Sequence, residues 1–198
     1  MKVCVYAICK NESQFADRFM DSMSEADYVC VLDTGSSDDT VERLRARGAI
    51  VGETVVSPWR FDTARNESLG LIPADADICC AIDLDEQFHP GWRAALERAW
   101  QPDTTRARYR YTWSFRPDGS EGMVFWADKI HKNGCYRWAS PVHETLSYTG
   151  EGAERFVDAA GVQLDHHPDE TKSRGQYLPL LELAVREDPQ NDRNCHYL

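Results

Sequence analysis

Apolar runs and polar punctuation alternate through the first hundred residues of the chain. Val3 to Ile8 is a short apolar run that predicts a buried strand. Asn11 then offers a helix N-cap with Gln14 three residues on, and Phe15, Phe19, Met20 and Met23 recur at helical spacing. A second strand is predicted over Tyr28 to Leu32, ending in the turn-forming stretch Asp33-Thr34-Gly35-Ser36-Ser37. Asp38 and Asp39 favour the first turn of a following helix, which carries Val41 and Leu44 inward and stops at Gly48. A third strand covers about Ala49 to Val56, a helix about Asp62 to Leu71, and a fourth apolar strand Ile78 to Ile82. Pro90 sits where a helix start would place it, with Trp92, Leu96 and Trp100 on one face. Strands joined by helical crossovers predict an α/β fold, a mainly parallel sheet with helices on both faces. Ligands of such sheets bind beyond the carboxyl ends of the strands, where Asp33 and Asp83 both lie.

After residue 105 the texture changes. Arg106 to Phe115, Gly122 to Ile130 and parts of Thr145 to Leu164 alternate like antiparallel strands, and Tyr109, Tyr111, Trp113, Trp126 and Trp138 make this half rich in aromatics. A last helix is predicted over Lys172 to Glu187, with Tyr177, Leu180, Leu181 and Ala184 on one face. It ends at Asp188-Pro189, and Asn191 opens another helix start. The expected organisation is therefore one domain over 1–168, with halves 1–100 and 101–168, and a helical extension over 169–198.

Composition narrows the class. The 198 residues are 42% hydrophobic and 11% aromatic, enough to bury a core and too much for a disordered chain. No apolar run approaches the roughly 18 residues of a membrane span, and the opening segment lacks a small-residue cleavage site. A cytoplasmic protein with no membrane span is expected. Lys and Arg number 22 against 33 Asp and Glu, a net charge of −11, which argues against nonspecific nucleic-acid binding. The seven cysteines include no CxxC pair, and Cys4, Cys30, Cys79 and Cys80 sit inside apolar runs as small buried hydrophobes.

The strongest local signal is Ile78-Cys79-Cys80-Ala81-Ile82-Asp83-Leu84-Asp85-Glu86, an apolar strand that emerges into carboxylates. Two carboxylates two residues apart point the same way from an extended backbone. Mg²⁺ and Mn²⁺ take such oxygen ligands together with substrate phosphates. Asp33, Lys10-Asn11-Glu12 and Arg65-Asn66 follow other elements at the same sheet edge, making a polar rim suited to a nucleotide whose diphosphate carries a metal.

At this point the chain resembles the family 2 glycosyltransferases, which have the GT-A fold. Ala7-Ile8-Cys9-Lys10-Asn11-Glu12-Ser13 is similar to the family's first-strand signature, and Val29 to Thr40 to its "VVDTGSTDGT" segment. Phe61-Asp62-Thr63-Ala64-Arg65-Asn66 and Asp83-Leu84-Asp85-Glu86 follow in the expected order. Arg137-Trp138-Ala139-Ser140-Pro141-Val142-His143-Glu144 is similar to the "RW.GPVHE" element of a subgroup that often carries tetratricopeptide repeats, an array the last helices would begin. The resemblance covers about residues 2 to 188. It implies a GT-A, Rossmann-like sheet with a nucleotide-sugar-binding half, a smaller antiparallel, aromatic acceptor half and a C-terminal helix. It implies a nucleotide-sugar donor, with UDP the commonest nucleotide, and Mn²⁺ or Mg²⁺ as cofactor. Asp33 would contact the base; Glu12 and Arg65 would lie near base, ribose or diphosphate. Asp83 would face the ribose or metal, and Asp85 would bind the metal.

In GT-A enzymes a histidine after the acceptor region often completes the metal site. Leu164-Asp165-His166-His167-Pro168 offers two, and alignment of the preceding strand favours His166 over His167. Glu144 is the candidate base, because an inverting transfer needs a carboxylate to take the acceptor's proton; a structural Glu beside Trp138 is the alternative. His143 is an orienting candidate, and Trp138, Trp126 and Tyr136 are candidates for stacking on sugar rings. The acceptor class (glycan, protein or small molecule) is left open. Two competing functions are a degenerate nucleotide-binding scaffold and a haloacid-dehalogenase-like phosphatase. The second would need a late acidic pair that the chain does not supply convincingly.

Overall fold

A computed structural model describes residues 1–169, 175 and 177–197. Lys172 to Arg174 and Gln176, where the pattern predicts the last helix to begin, lie outside the described residues. The elements are β1 (Val3–Cys9), α1 (Ser13–Ser22), β2 (Tyr28–Asp33), α2 (Thr40–Ala46), β3 (Ile50–Glu53), α3 (Phe61–Ser68) with a 3₁₀ turn over Leu69–Leu71, β4 (Ile78–Ala81), β5 (Glu86–Phe88) and α4 (Trp92–Ala99). Then come β6 (Arg106–Thr112), β7 (Val124–Lys132), β8 (Tyr136–Ala139), β9 (Thr145–Tyr148), β10 (Phe156–His166), α5 (Tyr177–Glu187) and α6 (Asp192–Tyr197).

Eight strands form one sheet in the order β3-β2-β1-β4-β7-β6-β10-β5. The first four are parallel, as the helical crossovers predict. β1 lies between β2 and β4 and is covered on both faces, which is why Val3 to Ala7 read as an unbroken apolar run and are fully buried. One face packs Phe15, Phe19 and Met20 of α1, Leu44 of α2 and Trp92 and Leu96 of α4. The other packs Tyr6, Cys30, Cys79 and Trp138 beside the turn after α3.

The second half continues the same sheet with antiparallel pairing. β7 pairs antiparallel with β4 and β6, which joins this half to the first sheet, and β10 runs parallel to β6. Among the described residues, β8 and β9 stand apart as a two-stranded sheet. β10 bulges between Asp158 and Gln163, and at Gly161 an added Cβ would meet Ala95 of α4 at 3.0 Å. That close approach is why a glycine serves there.

Two local expectations are corrected. Asn11 does not cap α1: its φ is 53°, its Oδ1 accepts from the Ser37 amide at 2.7 Å, and the helix begins after Glu12. Asn11 instead ties the end of β1 to the loop after β2. Pro90 precedes α4 rather than opening it, because Gly91 at φ 85° is the N-cap. No helix among the described residues is long and apolar enough to cross a membrane.

The C-terminal helices pack on the loop before β9. Leu180 and Ala184 of α5 bury against Val142, with Trp59, Phe61, Tyr177 and Leu181 around them. Arg60 pairs with Glu187 at 2.5 Å, and Tyr197 of α6 stacks on His143 at 4.0 Å.

Candidate active site

The carboxyl ends of β1, β2 and β4 converge with the end of β10 on one edge of the sheet. At β2 the chain must turn sharply, and Asp33 organises that turn. Its Oδ2 accepts the amides of Gly35 and Ser36, each at 2.9 Å, and its Oδ1 accepts the Ser36 hydroxyl. Gly35 sits at φ 103°, a conformation that only glycine adopts without strain. Glu12 stands next to this loop, its amide donating to Thr40 Oγ1 at 2.8 Å.

The expectation that Asp83 and Asp85 point the same way is not met. β4 ends at Ala81, and the chain then turns, the Glu86 amide donating to the Asp83 carbonyl at 3.0 Å. Alternation applies only to an extended backbone, so the turn sends the two carboxylates in different directions. Asp83 accepts both its hydrogen bonds from Arg65 Nη2, at 2.9 and 3.1 Å, while Asp85 Oδ2 faces His166 Nε2 at 3.4 Å.

Around Asp83 lies a cluster of alternating charge. Arg65 of α3, 5% exposed, donates through Nη2 to Asp83 and through Nε to Glu144. Its guanidinium also lies over the Trp138 ring at 5.0 Å. Lys129 of β7 sits 3.7 Å from Asp83 and 3.6 Å from Glu86. Glu86 is buried, accepting the Tyr111 hydroxyl at 2.6 Å and the Asp83 amide at 2.9 Å. Burial works to raise the Asp83 pKa, but Arg65 and Lys129 outweigh it and hold the group at about 2. Burial prevails at Glu86, whose pKa is raised. Burial disfavours the Lys129 charge, yet Glu86 and Asp83 push its pKa above the ordinary value.

Glu144 is thus held on one oxygen; its Oε2 carries no hydrogen bond from the described residues. Trp138 is corrected as an acceptor contact. It is 5% exposed, its Nε1 donates to Tyr6 Oη at 3.0 Å, and Asn66 clasps its backbone at 2.8 and 2.9 Å. A ring so enclosed cannot receive a sugar face; it positions Arg65. Tyr136 is likewise buried. His143, half-buried at φ 51°, stacks on Tyr197.

His166 and Asp85 are suited to a divalent cation. Two ligands about 2.1 Å from one ion and roughly at right angles stand about 3 Å apart, close to the observed separation. His166 Nδ1 hydrogen-bonds the Trp113 carbonyl at 3.0 Å, which protonates that nitrogen and leaves the Nε2 lone pair toward Asp85. Burial disfavours a charged His166, but the Asp85 carboxylate outweighs it and raises the pKa. His167 instead stacks on Phe115 at 5.2 Å, and its amide donates to the Asp85 carbonyl at 2.8 Å. Among the described residues no third His, Cys or carboxylate joins the pair, and Asp83, the alternative ligand, is engaged by Arg65 and Lys129. An ion would complete its shell from substrate oxygens and water.

Lys129 and Glu86 are site residues that the sequence reading passed over. Lys129 lies in a strand whose register, Cys80 opposite Ile130, brings it to Asp83. Asp128, His131 and Lys132 in the same strand are polar too, so nothing local sets Lys129 apart.

No protein-family model matches the chain. Among solved structures it is similar to glucosyl-3-phosphoglycerate synthase from Mycobacterium tuberculosis in complex with Mn²⁺, UDP and glucosyl-3-phosphoglycerate. The identity is 27% and the TM-score 0.46, over 56% of this chain and 44% of that one. The same synthase with Mn²⁺, UDP-glucose and phosphoglyceric acid is 26% identical at TM-score 0.46, over 56% of this chain and 43% of that one. A further likeness is to a mycobacterial protein at 22% identity and TM-score 0.45, over 57% of this chain and 41% of that one. The chain therefore spans less than half the length of each of these structures.

Proposed function

We propose that the chain is a metal-dependent glycosyltransferase. It moves a sugar from a nucleotide-sugar donor of the UDP class to an acceptor hydroxyl, by a single displacement that inverts the anomeric carbon. The observation that carries this reading is the division of Asp83-Leu84-Asp85-Glu86 between two tasks at one sheet edge. Asp85 faces His166 as a ligand pair, while Asp83 and Glu86 belong to the ion-paired cluster that holds Glu144.

In this reading the Asp33 loop and Glu12, at the ends of β2 and β1, take the base side of the donor, and the partly exposed edge of Asp83 takes the ribose. Arg65 acts on the donor indirectly, by fixing Asp83. Asp85 and His166 would hold a divalent cation, which would supply Lewis-acid neutralisation of the departing diphosphate when bound. Glu144 takes the proton as the acceptor oxygen bonds the anomeric carbon; the bond to the diphosphate breaks and its electron pair leaves with the nucleotide. Arg65 orients the Glu144 carboxylate through one oxygen and leaves the other for that proton. His143 braces the loop that presents Glu144.

The test is turnover of UDP-sugars with Mn²⁺, read as nucleotide release and as product configuration by NMR. Glu144→Gln keeps shape and polarity but cannot take the proton. It should lower kcat by about 10²–10⁴-fold while UDP affinity stays near that of the unaltered protein. Retained configuration in the product would overturn the single displacement. UDP binding without turnover of any donor would favour a scaffold.

A further inference from the structure

Lys129 stands at the centre of the charged cluster, and the roles assigned above leave its ammonium unused. A bulge in β7 puts it there. Tyr109 of β6 pairs with Ala127 and Ala107 with Ile130, so Asp128 and Lys129 together face the single residue Arg108. A bulge of this kind re-aims a side chain, and bulges gather next to active sites. Lys129 falls one residue past the last pairing of β7 with β4, Ile130 with Cys80, and so reaches the carboxyl end of β4 beside Asp83. Its Nζ stands 3.7 Å from Asp83 Oδ2 and 3.6 Å from Glu86 Oε1. Both distances suit an ion pair but exceed a hydrogen bond, so among the described residues its three N–H donors have no acceptor. The side chain is 31% exposed and is therefore not sealed in the core.

Position and charge together say what those donors can meet. On one side, Glu86 accepts from Tyr111, whose ring lies 6.3 Å from that of the ligand His166. On the other, Asp83 is held by Arg65, which also holds Glu144. Asp85 and His166 mark the diphosphate end of the donor, and Glu144 marks where the acceptor hydroxyl arrives. In a single displacement the sugar ring spans the interval between them, and Lys129 lies within it. Its charge is already countered by Asp83 and Glu86, with Glu144 near enough to add to their pull, so it has hydrogen bonds to give rather than a spare charge. Arg18 of α1 is a cation still open to an anion, its Nε and Nη2 buried without a hydrogen-bond partner among the described residues. It feels the Asp85 carboxylate and so belongs to the metal end, away from the sugar.

We propose that Lys129 is a specificity-determining residue whose ammonium donates to a hydroxyl of the donor's sugar ring. Asp83 and Glu86 fix the ammonium from below and leave its remaining donors for that hydroxyl. This rests on the glycosyltransferase reading and assigns a residue to its choice of sugar.

Calorimetry with Mg²⁺ tests this by comparing UDP with UDP-glucose, UDP-galactose, UDP-N-acetylglucosamine, UDP-xylose and UDP-glucuronate. The unaltered protein should prefer one neutral UDP-sugar. Lys129→Met should weaken that UDP-sugar about 10-fold but UDP itself less than two-fold, so that the preference flattens. Lys129→Arg keeps the charge between Asp83 and Glu86, and with it the fold, but its planar fork places the donors differently. There the preference should change by about three-fold or more, with UDP again unmoved. A merely structural role would move UDP and the UDP-sugar together. Equal weakening of the two therefore overturns the proposal and assigns Lys129 to the nucleotide or to the fold. A protein without preference, or one whose preference is unaltered in either variant, overturns it as well. So does a preference for UDP-glucuronate that Lys129→Met abolishes, which would make the recognised group a carboxylate. Absence of UDP binding in the unaltered protein overturns the donor reading and this proposal with it.

Discussion

Replacing Arg65 by Met keeps much of the side-chain volume against Trp138 and removes the charge that Asp83 and Glu144 share. Breaking one partner of a buried ion pair costs about 3–5 kcal/mol, because the remaining charge is left uncompensated. Asp83 is 31% exposed on its side chain and keeps Lys129 at 3.7 Å, so water and that amine recover part of the loss. Glu144, at 12%, recovers less. The lower end, about 3 kcal/mol, is therefore the expected cost. With a urea m-value of about 2 kcal/mol/M, the unfolding midpoint should fall by roughly 1.5 M with m unchanged. The cost should also depend on pH with a definite sign. Asp83 is held at about 2 in the folded protein against an ordinary 3.8, so its pairing stabilises fully above the ordinary value and is lost as pH falls through about 2. The gap between Arg65→Met and the unaltered protein should thus be widest near neutrality and narrow below about pH 4. A midpoint shift under about 0.3 M, or a gap that stays constant down to pH 3, would refute the pairing as described.

Further outcomes follow from other contacts. His166→Ala should weaken Mn²⁺ binding, measured by calorimetry with UDP present, by about 10-fold or more, and His167→Ala should leave it nearly unchanged; the reverse order would move the ligand by one residue. His131 is buried between Tyr6 and Tyr136, and burial lowers its pKa to about 4. Only the unfolded chain takes up that proton between about pH 6.5 and 4, so up to about 3 kcal/mol of stability is lost as pH falls across that window. His131→Gln should flatten this part of the stability–pH curve, read from urea midpoints at pH 7.5 and 4.5, and an unaltered slope would remove His131 as its source. Leu180→Ala should cost about 2 kcal/mol in thermal unfolding if α5 is packed on Val142 as described, whereas an unchanged melting temperature would mean the helix contributes nothing to the fold.

The sequence by itself determined the elements whose signals are local. β1, β2 and β4 are apolar runs closed by turn residues, and α1, α2 and α4 follow from spacing at 3.6 residues, because backbone periodicity and burial on one or two faces leave their mark within ten residues. From the same alternation came the parallel half of the sheet and the strand ends that carry Asp33 and Asp83. The paired carboxylates pointed to Asp85 as a metal ligand, while the resemblance singled out His166 and Glu144. Tertiary structure alone decided how these groups meet. Arg65 and Glu144 are 79 residues apart in the chain and touch only because α3 and the loop before β9 pack together. Lys129 reaches Asp83 through the register of β7 on β4, and a one-residue slip would turn it to the other face. The turn after β4 separates Asp83 from Asp85, against the alternation that holds for a strand. Burial withdrew Trp138 from the surface while leaving Trp113 and Phe125 exposed, although nothing in the local composition distinguishes the three rings. Pairing between charges and the covering of rings depend on which strand lies beside which, and that information is carried by the assembled sheet rather than by any one segment of it.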